Sequence, residues 1–458
     1  MSKGLTLALR GRFFWLSGLI AAVALMAAAV FLIHPLVTRY VESEAFRKEL
    51  DKQTSKGLHL EGRFEVIRRT GFLTATTEGF TGGNGVKAIR SISTGRADAK
   101  FNPWGVLLRR WQLDYIQIPS GRAEIQTYEP KTENNPPKPW YAIFLPDRVY
   151  LAKVVCDSAD VTWQLHGREA GFFKTGLLIT PHGRDFEYRA TGGTMKTGMV
   201  PDLALIQMHL LITRELLTLH DLELAPNQES EGRIRVRGQA GLKQDKSLSV
   251  TMNFSQIPVD PWIPEAWANL FRGEASGEVS WEGRDMKLES SAGRGAFRIE
   301  GGRVSGAPFL DQAAALTGKK SIEEIELSRF SLQFEWKFPR VEVEQIEIEA
   351  QGAFSIKGKV LIDNQRLAGS VQLGTTRKYL EWLPRAEEIF ARERDGYLWT
   401  TVNLAGTVQQ PQEDLSPRVA QLLKKSPGAA VGIFFRQAGE WLEKNLGGSK
   451  KAEESSKP

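Results

Sequence analysis

The sequence predicts a mainly β protein: an extended antiparallel sheet with a few interrupting helices, preceded by one transmembrane helix at the N-terminus. Three observations lead there. Long runs alternate apolar and polar residues with a period of two, the repeat of a strand with one dry and one wet face. Landmarks in the second half recur at one fixed spacing, as the units of a stacked repeat do. An uncharged apolar run occupies residues 13–33.

That run, FFWLSGLIAAVALMAAAVFLI, spans about 31 Å as a helix, the thickness of a bilayer core. The AAA at 27–29 could close the apolar region of a cleaved signal peptide. Phe31, Leu32 and Ile33 carry the apolar run past it, so residues 1–35 read as an uncleaved signal anchor. Lys3, Arg10 and Arg12 before the span are balanced by Arg39, Arg47 and Lys48 after it. The α-amino group then tips the N-terminus to the cytoplasmic side, with the bulk of the chain translocated. Residues 36–56 have the composition of an amphipathic helix.

Residues 57–228 form a β-rich region in which TGGNG (81–85) reads as a hairpin turn. Residues 130–228 show no motif that assigns them a role.

Residues 229–414 hold the clearest pattern. In EGRIRVRGQAGL (231–242), Arg233, Arg235 and Arg237 fall on one side and Ile234 and Val236 on the other. Gly232 and Gly238 bracket this strand; Gly352 and Gly358 bracket AFSIK at an offset of 120 residues. Trp262-Ile263-Pro264 is answered by Trp382-Leu383-Pro384 at the same offset, with a strand (LSVTMNF, then LAGSVQL) between the landmarks of each copy. After each proline the composition is helical, EAWANLF and RAEEIFARE, with Pro where a first turn tolerates it. Strands ending in glycine follow, GEVSWEG and TTVNLAG. In VEVEQIEIE the apolar set shifts by one residue after Gln345, so a bulge is expected there. Residues 415–446 read as amphipathic helices, with Val431, Phe434, Phe435, Ala438 and Leu442 on one face. Residues 447–458 have the composition of a disordered tail.

Composition narrows the chemistry. The net charge of +6 arises from 60 Lys and Arg against 54 Asp and Glu, interleaved along the chain, which is no nucleic-acid footprint. A single cysteine, Cys156, excludes an internal disulfide and reads as a small buried apolar residue. The six histidines stand apart without metal-ligand spacing, so no metal or cofactor is expected. Gly318-Lys319-Lys320-Ser321 lacks the upstream glycine of a phosphate loop, and no nucleophile elbow occurs. The acidic pairs Glu342/Glu344 and Glu347/Glu349 fall on the wet face of a strand. The chain therefore reads as a non-enzyme with no catalytic residue.

Order along the chain adds a resemblance. The anchor followed by ADAKFNPWGVLLRRWQLDYIQIPSGRAEI (97–125) resembles the amino-terminal region of the AsmA family. GRGAFRIEGGRVSGAPFLDQAAALTG (293–318) and the strands from Ser328 to Leu373 resemble its C-terminal domain. VNLAGTVQQPQ, with Gly406, Thr407 and Pro411, is similar to that domain's closing Gly-Thr-x-x-x-Pro pattern. The likeness covers residues 1–125 and 230–415. It implies an elongated, curved β-groove anchored in the inner membrane of a diderm bacterium, with the bulk of the chain in the periplasm. It further implies phospholipid or other acyl-chain lipid as the ligand, envelope proteins as further partners, and a role in outer-membrane lipid homeostasis. The chain is short for a family whose larger members bridge two membranes, which favours carrying over bridging.

The dry face is then the candidate site. Its expected lipid-contacting row comprises Ile234, Val236, Leu248, Val250, Met252 and Phe254; Phe330, Leu332, Phe334, Trp336 and Phe338; Val341 and Val343; and Phe354, Ile356, Val371 and Leu373. Large exposed apolar surface marks ligand or membrane sites, whereas the same alternation over a closed core would only fill it. The alternative function is a non-enzymatic, membrane-anchored scaffold that assists outer-membrane protein assembly through sheet edges.

Overall fold

The computed structural model is mainly β, with strands in antiparallel pairing and few helices. It describes residues 38–424 apart from 72, 103, 108–110, 127–148, 166, 183–184, 199, 243–245, 264–270, 285–287, 306–323, 382 and 409. The expected membrane span, the helix expected after Pro264 and the helical stretch expected beyond residue 424 lie outside the described residues. Among the described residues no helix is long and apolar enough to cross a membrane. The chain divides into two compact units, one running to Gly183 and including Tyr188–Thr197, the other comprising Arg184–Glu187 and the chain from Gly198 onward. The expected boundary at 228 falls inside the second unit, because the strands just before it pair in sequence with those after it.

The first unit opens with α1 (Glu44–Leu58), where the Ser43 hydroxyl accepts the Phe46 N–H at 3.2 Å. Phe46 is buried with Ile67 and Ala75, and Val41, Leu50, Phe64 and Phe101 pack around them. The strands are β1 (Glu61–Phe64), β2 (Ile67–Arg69), β3 (Thr74–Thr77), β4 (Phe80–Gly83), β5 (Ile89–Thr94) and β6 (Ala97–Phe101). After the short helix α2 (Trp104–Leu107) come β7 (Trp111–Ile125), β8 (Val149–Leu151), β9 (Val154–Leu165) and β10 (Arg168–His182). TGGNG turns β4 back on β5, with Asn84 at φ 55°. One pairing departs from the all-antiparallel expectation: β7 runs parallel to β8 and β9. Parallel neighbours need a crossover of a dozen or more residues, and the stretch from 126 to 148 supplies that length.

β11 (Asp185–Thr191) and β12 (Thr194–Lys196) follow. The second unit is a long meander of β13 (Leu203–Ile212), β14 (Leu216–Ala225), β15 (Arg233–Gly241), β16 (Ser247–Pro258), β17 (Phe271–Arg284) and β18 (Ala292–Ser305). The short β19 (Glu324–Glu326) pairs with the end of β18. The meander continues through β20 (Arg329–Lys337), β21 (Arg340–Ala350), β22 (Phe354–Asp363) and β23 (Arg366–Thr375). Beyond β24 (Arg392–Arg394) it closes with β25 (Tyr397–Gly406), β26 (Pro411–Glu413) and the helix α3 (Leu415–Lys424).

The fixed spacing read in the sequence has a structural counterpart. The hairpins β15–β16 and β22–β23 each set a glycine against a valine, Gly238 opposite Val250 and Gly358 opposite Val371. A β-carbon on Gly238 would lie 2.5 Å from the Ser249 carbonyl oxygen, and one on Gly358 2.7 Å from that of Ser370. Each hairpin leads into a 3₁₀ turn, Asp260–Trp262 and Arg377–Tyr379. The expected bulge is present: Val343 faces Val360 and Ile346 faces Gly358, so Glu344 and Gln345 together oppose Lys359. The extra residue keeps Ile346 and Ile348 on the same face as Val341 and Val343.

The helix expected after Pro384 does not form. Arg385 adopts φ 58°, and only a 3₁₀ turn, Ala386–Glu388, follows. Phe390 is instead buried with Leu380, Leu383, Ala386, Val419 and Leu422, beneath α3. The Asp414 carboxylate holds α3 to β25, accepting the Asn403 N–H at 2.9 Å and its side-chain amide at 2.8 Å. In the Gly406-Thr407 turn, Gly406 takes φ 90° and the Thr407 hydroxyl accepts the Gln410 N–H at 3.0 Å.

An apolar sheet face as the candidate functional site

Residues opposed across a ladder share a sheet face, so register alone shows which apolar residues stand together. In one row Leu222, Val236, Met252, Val279 and Gly295 oppose one another in turn, continued by Phe334, Val343, Val360, Gly369 and Leu404. A second row runs Leu224, Ile234, Phe254, Gly277 and Phe297, then Leu332, Ile346, Gly358, Val371 and Val402. A third runs Gly238, Val250, Trp281, Gly293, Trp336, Val341, Ile362 and Leu367. Leu248 lies beside the third row, opposite Ala240 and Gly283. Phe330, Ile348, Ile356 and Leu373 form a shorter fourth, with Phe354 next to it opposite Ala350. No charged residue interrupts these rows. At about 4.8 Å per strand, the first two extend about 40 Å across the sheet.

Burial shows how this face is covered. Ile234 is buried, at 5% exposure, between Leu224 and Phe254. The other residues expected to contact lipid are half-buried, with one exception. Leu222, Leu224 and Val402 are the other buried members of the rows; a second layer over the remaining side chains would bury them as completely. Half-burial is what cross-strand neighbours alone provide, by covering the flanks of a side chain and leaving its top accessible. Two places are covered further. Phe330 and Phe354 pack against Ile325, Leu327, Ala350 and Ala353, and Leu373 packs against the cluster beneath α3. These three residues fill small cores.

The exception is Phe338, which corrects the expected row. β20 ends at Lys337, and Phe338 sits in the following turn, 41% exposed and joined to Pro339 by a cis peptide bond. Alternation continued past the strand in sequence but not in space. Conversely, the rows contain Val279, Trp281, Phe297, Ile346, Val360, Ile362, Val402 and Leu404, which the expected set omitted. The alternation in GEVSWEG and in AFRIEGG was the available signal for β17 and β18.

Glycines set the texture of this face. Phe334 and Trp336 lie opposite Gly295 and Gly293, with their rings nearly parallel at 22° and centroids 6.0 Å apart. A β-carbon on Gly295 would come 2.5 Å from the Phe334 ring. The rings therefore lie across the neighbouring strand, as aromatic side chains do over strand glycines.

The opposite face is charged. Arg235 pairs with Glu223 at 3.2 Å, Arg237 with Asp221 at 3.4 Å, and Arg329 with Glu347 at 3.5 Å. Such exposed pairs contribute at most about 1 kcal/mol each; their effect is to keep that face wet. Among the described residues no group of His, Cys, Asp and Glu could hold a metal ion.

Cys156 on β9 is 7% exposed. Burial pushes its thiol up, and the Asp157 and Asp160 charges add to that against a backbone hydrogen bond at Ser158. A raised thiol is protonated at neutral pH and a poor nucleophile. In the native protein Cys156 is expected to react with a thiol reagent at pH 7.5 at least about tenfold more slowly than after denaturation. Equal rates would show that the site is open.

Comparison with family models, with curated proteins and with solved structures finds no match to this chain.

Proposed function

We propose that this protein is a membrane-anchored lipid carrier of the AsmA type. It holds phospholipid acyl chains on the apolar face of a periplasmic β-groove and supports lipid homeostasis of the outer membrane. One observation carries the reading: rows of apolar side chains and glycines, most of the side chains half-buried, run from β14 to β25 without a charged residue. Acyl chains laid on such a face gain about 0.8 kcal/mol per buried CH₂, and they need shape and dryness rather than a catalytic group. The residues forming it on β15, β16, β20 and β21 include Val236, Val250, Met252, Leu332, Phe334, Trp336, Val341 and Val343.

A scaffold would recruit partners by extending a sheet edge. At the β26 end that edge is a strand of 3 residues beginning with Pro411, followed directly by α3. Short, proline-bearing edges are poor templates for an added strand.

The test places a photoreactive benzoylphenylalanine in the full-length chain at Val250 or Phe334 on the dry face, and at Asn253 or Glu335 on the wet face. Irradiation in membranes followed by mass spectrometry should yield phospholipid adducts at the first two positions, about tenfold above the second two. Adducts distributed equally over both faces, or absent from the dry face of a folded protein, would overturn the reading.

A further inference from the structure

This inference rests on the lipid reading above. We propose that one edge of the second unit is a head-group rim, where the phosphates of anionic phospholipids sit while their acyl chains lie on the apolar face. In a meander every second turn falls on the same edge. Here those turns are β13–β14, β15–β16, β17–β18, β20–β21, β22–β23 and β25–β26. Backbone hydrogen bonds tie neighbouring parts of this edge together. The Leu242 N–H donates to the Glu215 carbonyl at 2.8 Å, that of Phe338 to Ser291 at 3.2 Å, and that of Val408 to Gln365 at 3.1 Å.

Two properties of this edge coincide. Leu242, Phe338 and Val408 stand out at 39%, 41% and 53% exposure. Between them lie the exposed cations Arg214, Lys246, Arg284, Lys337, Arg340 and Arg366, against the acids Glu215, Glu289 and Asp363 among the described residues. Arg340 is engaged by Glu342 at 2.8 Å, whereas Arg284, Lys337 and Arg366 make no ion pair among the described residues. Exposed apolar side chains set among cations, with Arg284, Lys337 and Arg366 available to an anion, are the composition of a surface that meets anionic lipid. The opposite edge differs. Its β23–β25 connection mixes signs, with Arg377 paired to Glu393 at 3.1 Å, and the cluster beneath α3 lies over it.

The chemistry requires a rim of this kind. An acyl chain on the dry face must deliver its phosphate to one edge of the sheet, and an unpaired guanidinium there offers charge-assisted hydrogen bonds. Turns on this edge recur every second strand, so from β13–β14 to β22–β23 a turn bearing a cation is met about every 10 Å. Each cation near an anionic lipid surface contributes about fivefold in affinity.

The experiment uses the full-length chain in liposomes with two phosphatidylglycerol probes, one carrying a diazirine in the head group and the other at the acyl terminus. Adducts are mapped by peptide. Head-group adducts are expected at the turns around residues 284–291, 337–340 and 363–366, and acyl adducts on β16 and β20. The triple variant Arg284→Glu, Lys337→Glu, Arg366→Glu should lose head-group adducts by about tenfold or more and keep its acyl adducts. The control Arg303→Glu, Arg377→Glu, Arg392→Glu should change neither. Head-group adducts spread over both edges, or unaffected by the triple variant, with acyl adducts intact, would overturn the rim alone. Loss of acyl adducts from the dry face of the unaltered protein would overturn the lipid reading and the rim with it.

Discussion

Replacing Phe334 with aspartate is expected to reduce bound phospholipid by about tenfold or more while the protein stays folded. Phe334 lies in the middle of one of the two longest apolar rows, between Gly295 and Val343. A carboxylate there would face every acyl chain crossing the row, and burying an unpaired charge costs several kcal/mol. The cost to the fold is smaller. The ring is half-buried, so its loss removes cross-strand packing worth about 1 kcal/mol, and the new charge can reach water from an uncovered face. Lipid content by mass spectrometry, read beside a thermal melt, checks both halves. If the variant unfolds or is insoluble, the face is the interior of a closed core and the lipid reading loses its foundation. Val250→Asp, on β16 three strands from Phe334, should repeat the result independently.

Replacing Gly358 with valine should do the reverse, damaging the fold first. A β-carbon there would lie 2.7 Å from both the Ser370 carbonyl oxygen and the Val371 α-carbon. Both are backbone atoms held by the β22–β23 ladder, so relief requires breaking it locally. Overpacking of this kind costs about 1–3 kcal/mol, and because the two nearest atoms are backbone, Gly358→Val falls at the upper end. Gly352→Ala provides the contrast: nothing lies within 4 Å of its β-carbon position, and only its φ of 72° opposes the change, for about 1–2 kcal/mol. Urea denaturation compares the two. Gly238→Val should match Gly358→Val, because Gly238 meets the Ser249 carbonyl in the same way. A harmless Gly238→Val would mean that the two hairpins are alike in sequence spacing only.

Much of this was legible in the residues. The two faces of β15, β20 and β21 followed from alternation, and the bulge at Glu344–Gln345 from the single point where alternation slipped. The Asn84 turn followed from local chemistry, whereas the helix expected over 36–56 overlaps α1 without giving its start at Glu44. Other elements escaped for identifiable reasons. RAEEIFARE has helical composition, but Arg385 enters the left-handed region and Phe390 is drawn into a buried cluster with Leu422; tertiary packing overrode propensity. Phe338 kept the apolar phase of β20 one residue beyond the end of the strand at Lys337. Val279 and Trp281 alternated as clearly as the residues chosen, and only their pairing with Met252 and Val250 shows that they belong to the same surface.

The sequence by itself determined which side chains share a strand face and where several of the turns fall. Those properties depend on backbone geometry over a few residues, which composition and spacing record directly. The tertiary structure alone decided which strands are neighbours, that β7 pairs in parallel with β9, that Phe334 and Trp336 lie against glycines of β18, and that Leu373 is covered while Val343 is not. Each of these depends on register between segments far apart in the chain. Register is set jointly by loop length, bulges and the fit of one side chain against a strand it does not adjoin in sequence, and a period of two carries no information about any of them.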